Sequence, residues 1–89
     1  MKHLNNLIKG TIADSIAPWA ISEDMSDMYR QDAKDFKHVL NMIKDKNYSG
    51  AKKLIQYMDT LPRENVVVAI AHDLGVDWVA ENLKYEVTI

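Results

Sequence analysis

The sequence predicts a small all-α domain, a bundle of four to five helices that ends in a helical hairpin. Apolar residues recur at spacings of three and four along much of the chain, which is the periodicity of helices with one buried face. A helix-start signal and a glycine stop also frame residues 59–83, DTLPRENVVVAIAHDLGVDWVAENL. With 89 residues the chain has material for one modest core, so we expect a single domain over residues 1–89.

The first predicted helix is amphipathic and ends before Pro18, because proline disfavours helical backbone at the residue before it. Its inward positions are Leu4, Leu7, Ile8, Thr11, Ile12, Ser15 and Ile16. Gly10 within the helix costs up to about 1 kcal/mol relative to alanine, so the helix should depend on a surface to pack against. In the connector that follows, residues 17–22, we expect Trp19 and Ile21 to lie against the core.

The second predicted helix is the longest and runs from about Glu23 to Lys46. Ser22 can accept a hydrogen bond from the backbone at its start, and the acidic residues that follow favour the positive end of the helix dipole. Its apolar stripe contains Met25, Met28, Tyr29, Ala33, Phe36, Val39, Leu40 and Ile43. Seven-residue spacings within that stripe indicate packing against another helix.

A third helix is predicted over about Ser49–Met58, and a fourth begins at a cap formed by Asp59 or Thr60. Pro62 lies in the first turn of the fourth helix, where its missing N–H costs nothing. The next segment, VVVAIA, is apolar on nearly every side, which is typical of a central helix. Three consecutive valines also suit a buried strand, but the preceding cap and proline favour a helix.

Gly75 is expected to end the fourth helix in a left-handed conformation. A fifth helix is predicted over about Asp77–Lys84, with Trp78, Val79 and Leu83 facing inward. Residues 85–89 alternate weakly between apolar and polar and are expected to be extended or frayed. The fourth and fifth helices together form the predicted C-terminal hairpin, which should lie beside the long second helix.

Composition and charge argue against nucleic-acid binding, a membrane span and a signal peptide. The net charge is −2 with no strongly basic segment, so the phosphate attraction that drives nucleic-acid affinity is weak. The chain contains no cysteine and no apolar run approaching the roughly 20 residues of a membrane span. Polar and charged residues interrupt the apolar positions near the N-terminus, which argues against a signal peptide. We expect a cytoplasmic protein with no membrane contact.

A helix-turn-helix DNA-binding regulator is the alternative function. Small and apolar residues stand at the motif's positions around the turn glycine, namely Ala71, Leu74, Gly75 and Val76. The next apolar position is occupied by Glu81, however, and Asp77 and Glu81 would face phosphates with only Lys84 positive. No arginine is available there to contact guanine edges. We therefore place nucleic-acid binding second.

Catalytic and metal-binding signals are weak. The group His72, Asp73, Asp77 and Glu81 is the only candidate for metal or acid–base chemistry, and carboxylates four apart on an exposed helix are usually solvated. There is no phosphate-binding glycine loop and no nucleophile elbow. A bundle of this size also has little room for a closed pocket of a few hundred Å³. We expect a non-enzymatic protein without catalytic residues, cofactor or metal.

The remaining expectation concerns apolar surface. Five methionines and two tryptophans are many for 89 residues, and a short chain with such wide apolar stripes often presents part of them to another protein. Tryptophan and tyrosine are favoured at interface centres. We therefore predict a protein-binding module, with a homodimer as the expected assembly. The predicted contact residues are Trp19, Met25, Met28, Tyr29 and Phe36.

The segment DTLPRE at residues 59–64, followed by an apolar helix, resembles stretches in small accessory proteins encoded by tailed bacteriophages. The resemblance covers about a third of the chain. It implies a non-enzymatic protein that docks on a host enzyme or defence complex in the bacterial cytoplasm and inhibits or modulates it. The resemblance does not assign a role to any individual residue.

Overall fold

The computed structural model describes residues 1–88, which form five α-helices and no strand. The helices are α1 (Lys2–Ser15), α2 (Glu23–Lys44), α3 (Tyr48–Tyr57), α4 (Thr60–Leu74) and α5 (Val76–Asn82). The predicted all-α bundle with its C-terminal helical pair is confirmed. Within residues 1–88, none of the helices has both the length and the apolar character that crossing a bilayer requires.

The core is built around α4, whose apolar residues are buried against helices on several sides. Val66, Val67 and Ile70 have almost no exposed surface. They share one cluster with side chains from every other helix, including Leu4, Ile8, Phe36, Val39, Ile55 and Val79. The valine run is therefore a central helix, as its capping signals indicated, and each large buried side chain contributes roughly 1.5–3 kcal/mol by leaving water.

Side-chain caps begin α2 and α3, and backbone hydrogen bonds end α2. The Ser22 hydroxyl accepts a hydrogen bond from the N–H of Met25 at 3.1 Å, as predicted. At the other end of α2, the N–H groups of Lys46 and Asn47 return to carbonyls of the last turn, with Lys46 at φ +62°. The Asn47 side chain then caps α3 through the N–H of Gly50.

The first turn of α1 is capped by a residue from the far end of α4. The Asp73 carboxylate accepts hydrogen bonds from the backbone N–H groups of His3 and Leu4, at 2.8 and 2.9 Å, and from Nδ1 of His3 at 3.0 Å. Its side chain is only 5 % exposed. Burial alone raises the pKa of Asp73, but these hydrogen bonds and the proximity of His3 outweigh it and hold the pKa below its ordinary value.

Asp73 therefore fixes how α1 lies along α4. The rings of His3 and His72 stack beside this contact, with centroids 5.1 Å apart. Toward the start of α4, Leu61 and Asn65 lie near the second half of α1, around Thr11 and Asp14, so the two helices run antiparallel. The long-range cap thus sets the position of α1, and with it the position of the α1–α2 hairpin.

Gly75 alone separates α4 from α5. Its backbone lies at φ +105° and ψ +150°, a region that essentially only glycine occupies and that differs from the left-handed helical conformation predicted for it. Beyond the turn, Trp78 meets Tyr48 of α3 edge-to-face, with ring centroids 5.2 Å apart. This contact attaches α5 to the bundle.

The segment after α5 continues over the core without regular secondary structure. Lys84 takes a positive φ of 53° directly after the helix. Tyr85 and Val87 are half-buried and pack against the core cluster, so this part of the predicted tail lies over the core. The last residue of the predicted tail, Ile89, lies outside the described residues.

Replacing Asp73 by asparagine should destabilise the protein by about 1–3 kcal/mol at neutral pH, because charge-assisted hydrogen bonds to α1 are weakened in a buried site. Folding lowers the pKa of Asp73, so its stabilisation is present above the ordinary value of 3.8 and is lost as pH falls through the lowered one. Urea unfolding measured from neutral to acidic pH should therefore show the gap between wild type and Asp73→Asn closing in acid. An equal loss for the exposed control Asp45→Asn, or a gap independent of pH, would contradict this role.

Gly75→Ala should cost about 1–3 kcal/mol from backbone strain. Gly10→Ala is the matched control, since a Cβ at either position meets no atom within 4 Å. Gly10 lies inside α1, where alanine should stabilise the helix by about 0.5–1 kcal/mol. Opposite shifts in melting temperature are expected, and shifts of the same sign would show that Gly75 is not held in a glycine-only conformation.

Candidate functional site

The largest concentration of exposed apolar surface lies where α1 passes into α2. We call residues 12–28 the hairpin tip. Of the eight large hydrophobic side chains that are exposed among the described residues, five belong to it: Ile12, Ile16, Trp19, Ile21 and Met28. Isolated exposed apolar residues are common in soluble proteins, but five within one 17-residue stretch are unusual enough to make the hairpin tip the candidate interaction surface.

The prediction for the connector, residues 17–22, is wrong. Trp19 and Ile21 were expected to lie against the core, yet they are 61 % and 86 % exposed. The reason is where the central helix begins. The 22 residues of α2 span about 33 Å, whereas the 15 residues of α4 span about 22 Å. The first turn of α4, at Leu61 and Pro62, lies in one groove with residues 28–36 of α2, so residues 17–22 lie beyond the start of α4.

A groove of about 560 Å³ runs along the hairpin and ends at the start of α4. Its volume is within the range of ligand-holding clefts in proteins. From the sequence we expected little room for a closed pocket of that size. The groove is lined by Asn6, Leu7, Gly10, Thr11 and Asp14 of α1, by Met28, Tyr29, Asp32 and Phe36 of α2, and by Asp59, Leu61, Pro62 and Asn65.

All of the charged residues along the groove are carboxylates. Asp14, Asp32 and Asp59 come from three separate segments, and the residues lining the groove include no lysine, arginine or histidine. Burial raises the pKa of Asp32, and the nearby charges of Asp35 and Asp59 raise it further. The isolated protein therefore maintains an acidic groove at an electrostatic cost.

The five predicted contact residues divide between the surface and the core. Trp19 and Met28 are exposed, with half of the Met28 surface open to solvent. Met25 and Tyr29 are half-buried. Phe36 is only 2 % exposed and packs in the core cluster, so it forms part of the floor of the groove instead of projecting toward a partner.

Asp73, one member of the candidate metal or acid–base group, has a structural role. Asp73 is occupied by the start of α1, while Asp77 and Glu81 are exposed on α5. Over residues 1–88, no set of three or more histidine, cysteine or acidic side chains lies close enough together to hold a metal ion. The carboxylates of the groove are likewise too dispersed to share one cation.

The geometry of the C-terminal pair bears on the DNA-binding alternative. The helix that would enter the major groove, α5, has only seven residues, and one residue separates it from α4. Val79 and Leu83 are buried, which leaves the acidic Asp77 and Glu81 on its exposed side. This surface repels phosphates, so no feature of α5 favours nucleic-acid binding.

The sequence did not identify Asp14, Asp32, Asp59 or Leu61 as residues of one site. Each looks like an ordinary solvated or capping residue in its own segment, and only the packing of three segments brings them together. A single signal was available: Leu61 is an apolar residue in the first turn of α4 that stands apart from the apolar run at residues 66–71. In the structure Leu61 is exposed at the groove.

Comparisons with known proteins assign no family to the chain. No protein-family model matches it, and neither the curated proteins nor the solved structures contain a significant match.

Proposed function

We propose that the chain is a non-catalytic protein-binding module that docks through the hairpin tip. The observation that carries the proposal is the group of exposed apolar side chains at residues 12–28, which the rest of the fold leaves uncovered. Exposing such a group costs solubility, and burying it against a partner recovers roughly 25 cal/mol per Å² of apolar surface.

The composition of the surface suits a protein partner. Trp19 supplies a large and rigid contact of the kind found at interface centres. Met28 is flexible enough to adapt to an irregular partner surface. The charged residues Glu23, Asp24 and Asp27 are exposed beside them and would form a polar rim.

The resemblance of residues 59–64 to small proteins of tailed bacteriophages suggests which partner to test first. In that setting the partner is a bacterial enzyme or defence complex, and the chain inhibits or modulates it by covering a functional surface. A homodimer through the same surface is the other assembly that the sequence favours, and the mass of the protein in solution distinguishes the two.

Met28→Asp should abolish partner binding while leaving the fold intact. Because Met28 is half exposed, the substitution should change the free energy of unfolding by less than about 1 kcal/mol. The measurement is a pull-down from bacterial lysate, with identification of bound proteins by mass spectrometry and circular dichroism of each variant. Tyr57→Asp, an equally drastic change at an exposed position on α3, is the matched control and should retain the partner.

Sedimentation of the purified protein completes this test. A homodimer would appear as twice the chain mass of 10.2 kDa, and Met28→Asp would convert it to a monomer. A monomeric wild type that recovers the same background proteins as Met28→Asp would contradict a binding role for the tip.

A further inference from the structure

We propose that the groove accepts a basic and apolar segment of the partner protein, in which lysine or arginine side chains flank apolar ones. The inference rests on the proposed function, because it names the chemistry of the partner that docks on the same hairpin. It depends on three features of the groove: its charge, its apolar floor and its unsuitability for a second copy of the chain.

The charge of the groove is unbalanced within the protein. The chain carries 11 lysine and arginine residues, yet the charged residues of the groove are Asp14, Asp32 and Asp59. Asp32 and Asp59 lie close enough for their charges to repel each other, and such local conflicts are expected where function outweighs stability. A cationic side chain placed beside these two carboxylates would offset their repulsion and would be attracted more strongly than in open water.

The floor of the groove selects for apolar groups beside that cation. Phe36 closes the base, and Leu7, Met28 and Leu61 form the walls. Since Leu61 is 69 % exposed, its side chain has apolar surface left to contribute to a contact. Lysine and arginine also carry apolar stems that can lie along such walls while the charged ends reach the carboxylates. A volume of about 560 Å³ accommodates a few side chains of a segment.

A second copy of the chain fits this surface poorly. Residues 12–32 contain five acidic side chains and one basic side chain, Arg30, which already pairs with Asp27 at 3.0 Å. A twofold dimer places the same surface against itself, so a dimer through the hairpin would bring acidic groups together. The charge of the hairpin therefore favours a different, basic partner.

The test uses a defined probe in place of the unidentified partner. A fluorescently labelled amphipathic peptide of leucine and lysine is titrated with the full chain, and a leucine–glutamate peptide of the same pattern serves as its counterpart. We expect the lysine peptide to bind, the glutamate peptide not to bind, and the affinity to fall as salt is raised. Chemical shifts of the isotope-labelled chain should change around Gly10, Met28 and Leu61 and remain constant on α5.

The variant Asp32→Asn provides the decisive readout. It should melt at a higher temperature than wild type, because it removes a charge that burial and the neighbouring carboxylates Asp35 and Asp59 disfavour, yet bind the lysine peptide at least about tenfold more weakly. The matched control is Asp77→Asn, which removes the same charge from the exposed side of α5 and should bind like wild type. A loss of binding together with a gain in stability cannot be explained by unfolding.

The outcomes separate this inference from the proposed function. Equal binding of the lysine peptide by the groove variant and wild type, or shift changes outside the groove, would overturn the inference. In that case the proposed function would still stand if wild type recovered a cellular partner and Met28→Asp did not. Preferred association of the chain with itself, unaffected by the groove variant, would also overturn the inference.

Discussion

The structure depends on the burial of α4, a helix that is apolar on nearly every side and cannot be left in contact with water. Val66, Val67 and Ile70 are covered by side chains of all four other helices, and the Asp73 carboxylate at the end of α4 fixes the start of α1. The same arrangement has a geometric consequence. Because α4 begins beside residues 28–36 of α2, the first part of α2 and the connector before it extend past the start of α4, and their apolar side chains Trp19, Ile21 and Met28 are exposed.

The position of the groove thus follows from how the core is built. The groove lies where the hairpin passes the first turn of α4, so one wall is supplied by Leu61 and Asp59 at the start of the central helix. The acidic side chains there come from three segments, with Asp14 on α1, Asp32 on α2 and Asp59 at the start of α4. A partner that binds at this point would contact apolar and charged groups held in place before binding, which reduces the ordering cost of association.

The sequence predicted features whose causes are local. The Ser22 cap, the helical valine run and the stop at Gly75 depend on residues a few positions apart, and each occurs in the structure. The sequence did not predict features that depend on residues far apart in the chain. Asp73 was interpreted as a candidate ligand because its actual partners, the backbone of His3 and Leu4, are about 70 residues away in the chain.

The same distinction applies to the candidate site. Met28 was named as a contact residue because it belongs to the apolar stripe of α2, and Trp19 was named for its residue type although its exposure was not expected. The burial of Phe36 is decided by its neighbours on other helices. The exposure of Ile21 could not be anticipated, since an apolar residue in a connector is covered only if another element reaches it. The groove carboxylates required the packing of α1, α2 and α4 to be known.

The central claim is that the hairpin tip is open to solvent in the isolated chain, and the fluorescence of Trp19 tests it most directly. Replacing Trp78 by phenylalanine leaves Trp19 as the only tryptophan. We expect solvent-like emission and quenching by acrylamide close to that of a free tryptophan derivative, at protein concentrations where the chain is monomeric. Blue-shifted emission that acrylamide cannot quench in the monomer would show that the tip is covered by the chain itself and would contradict the account.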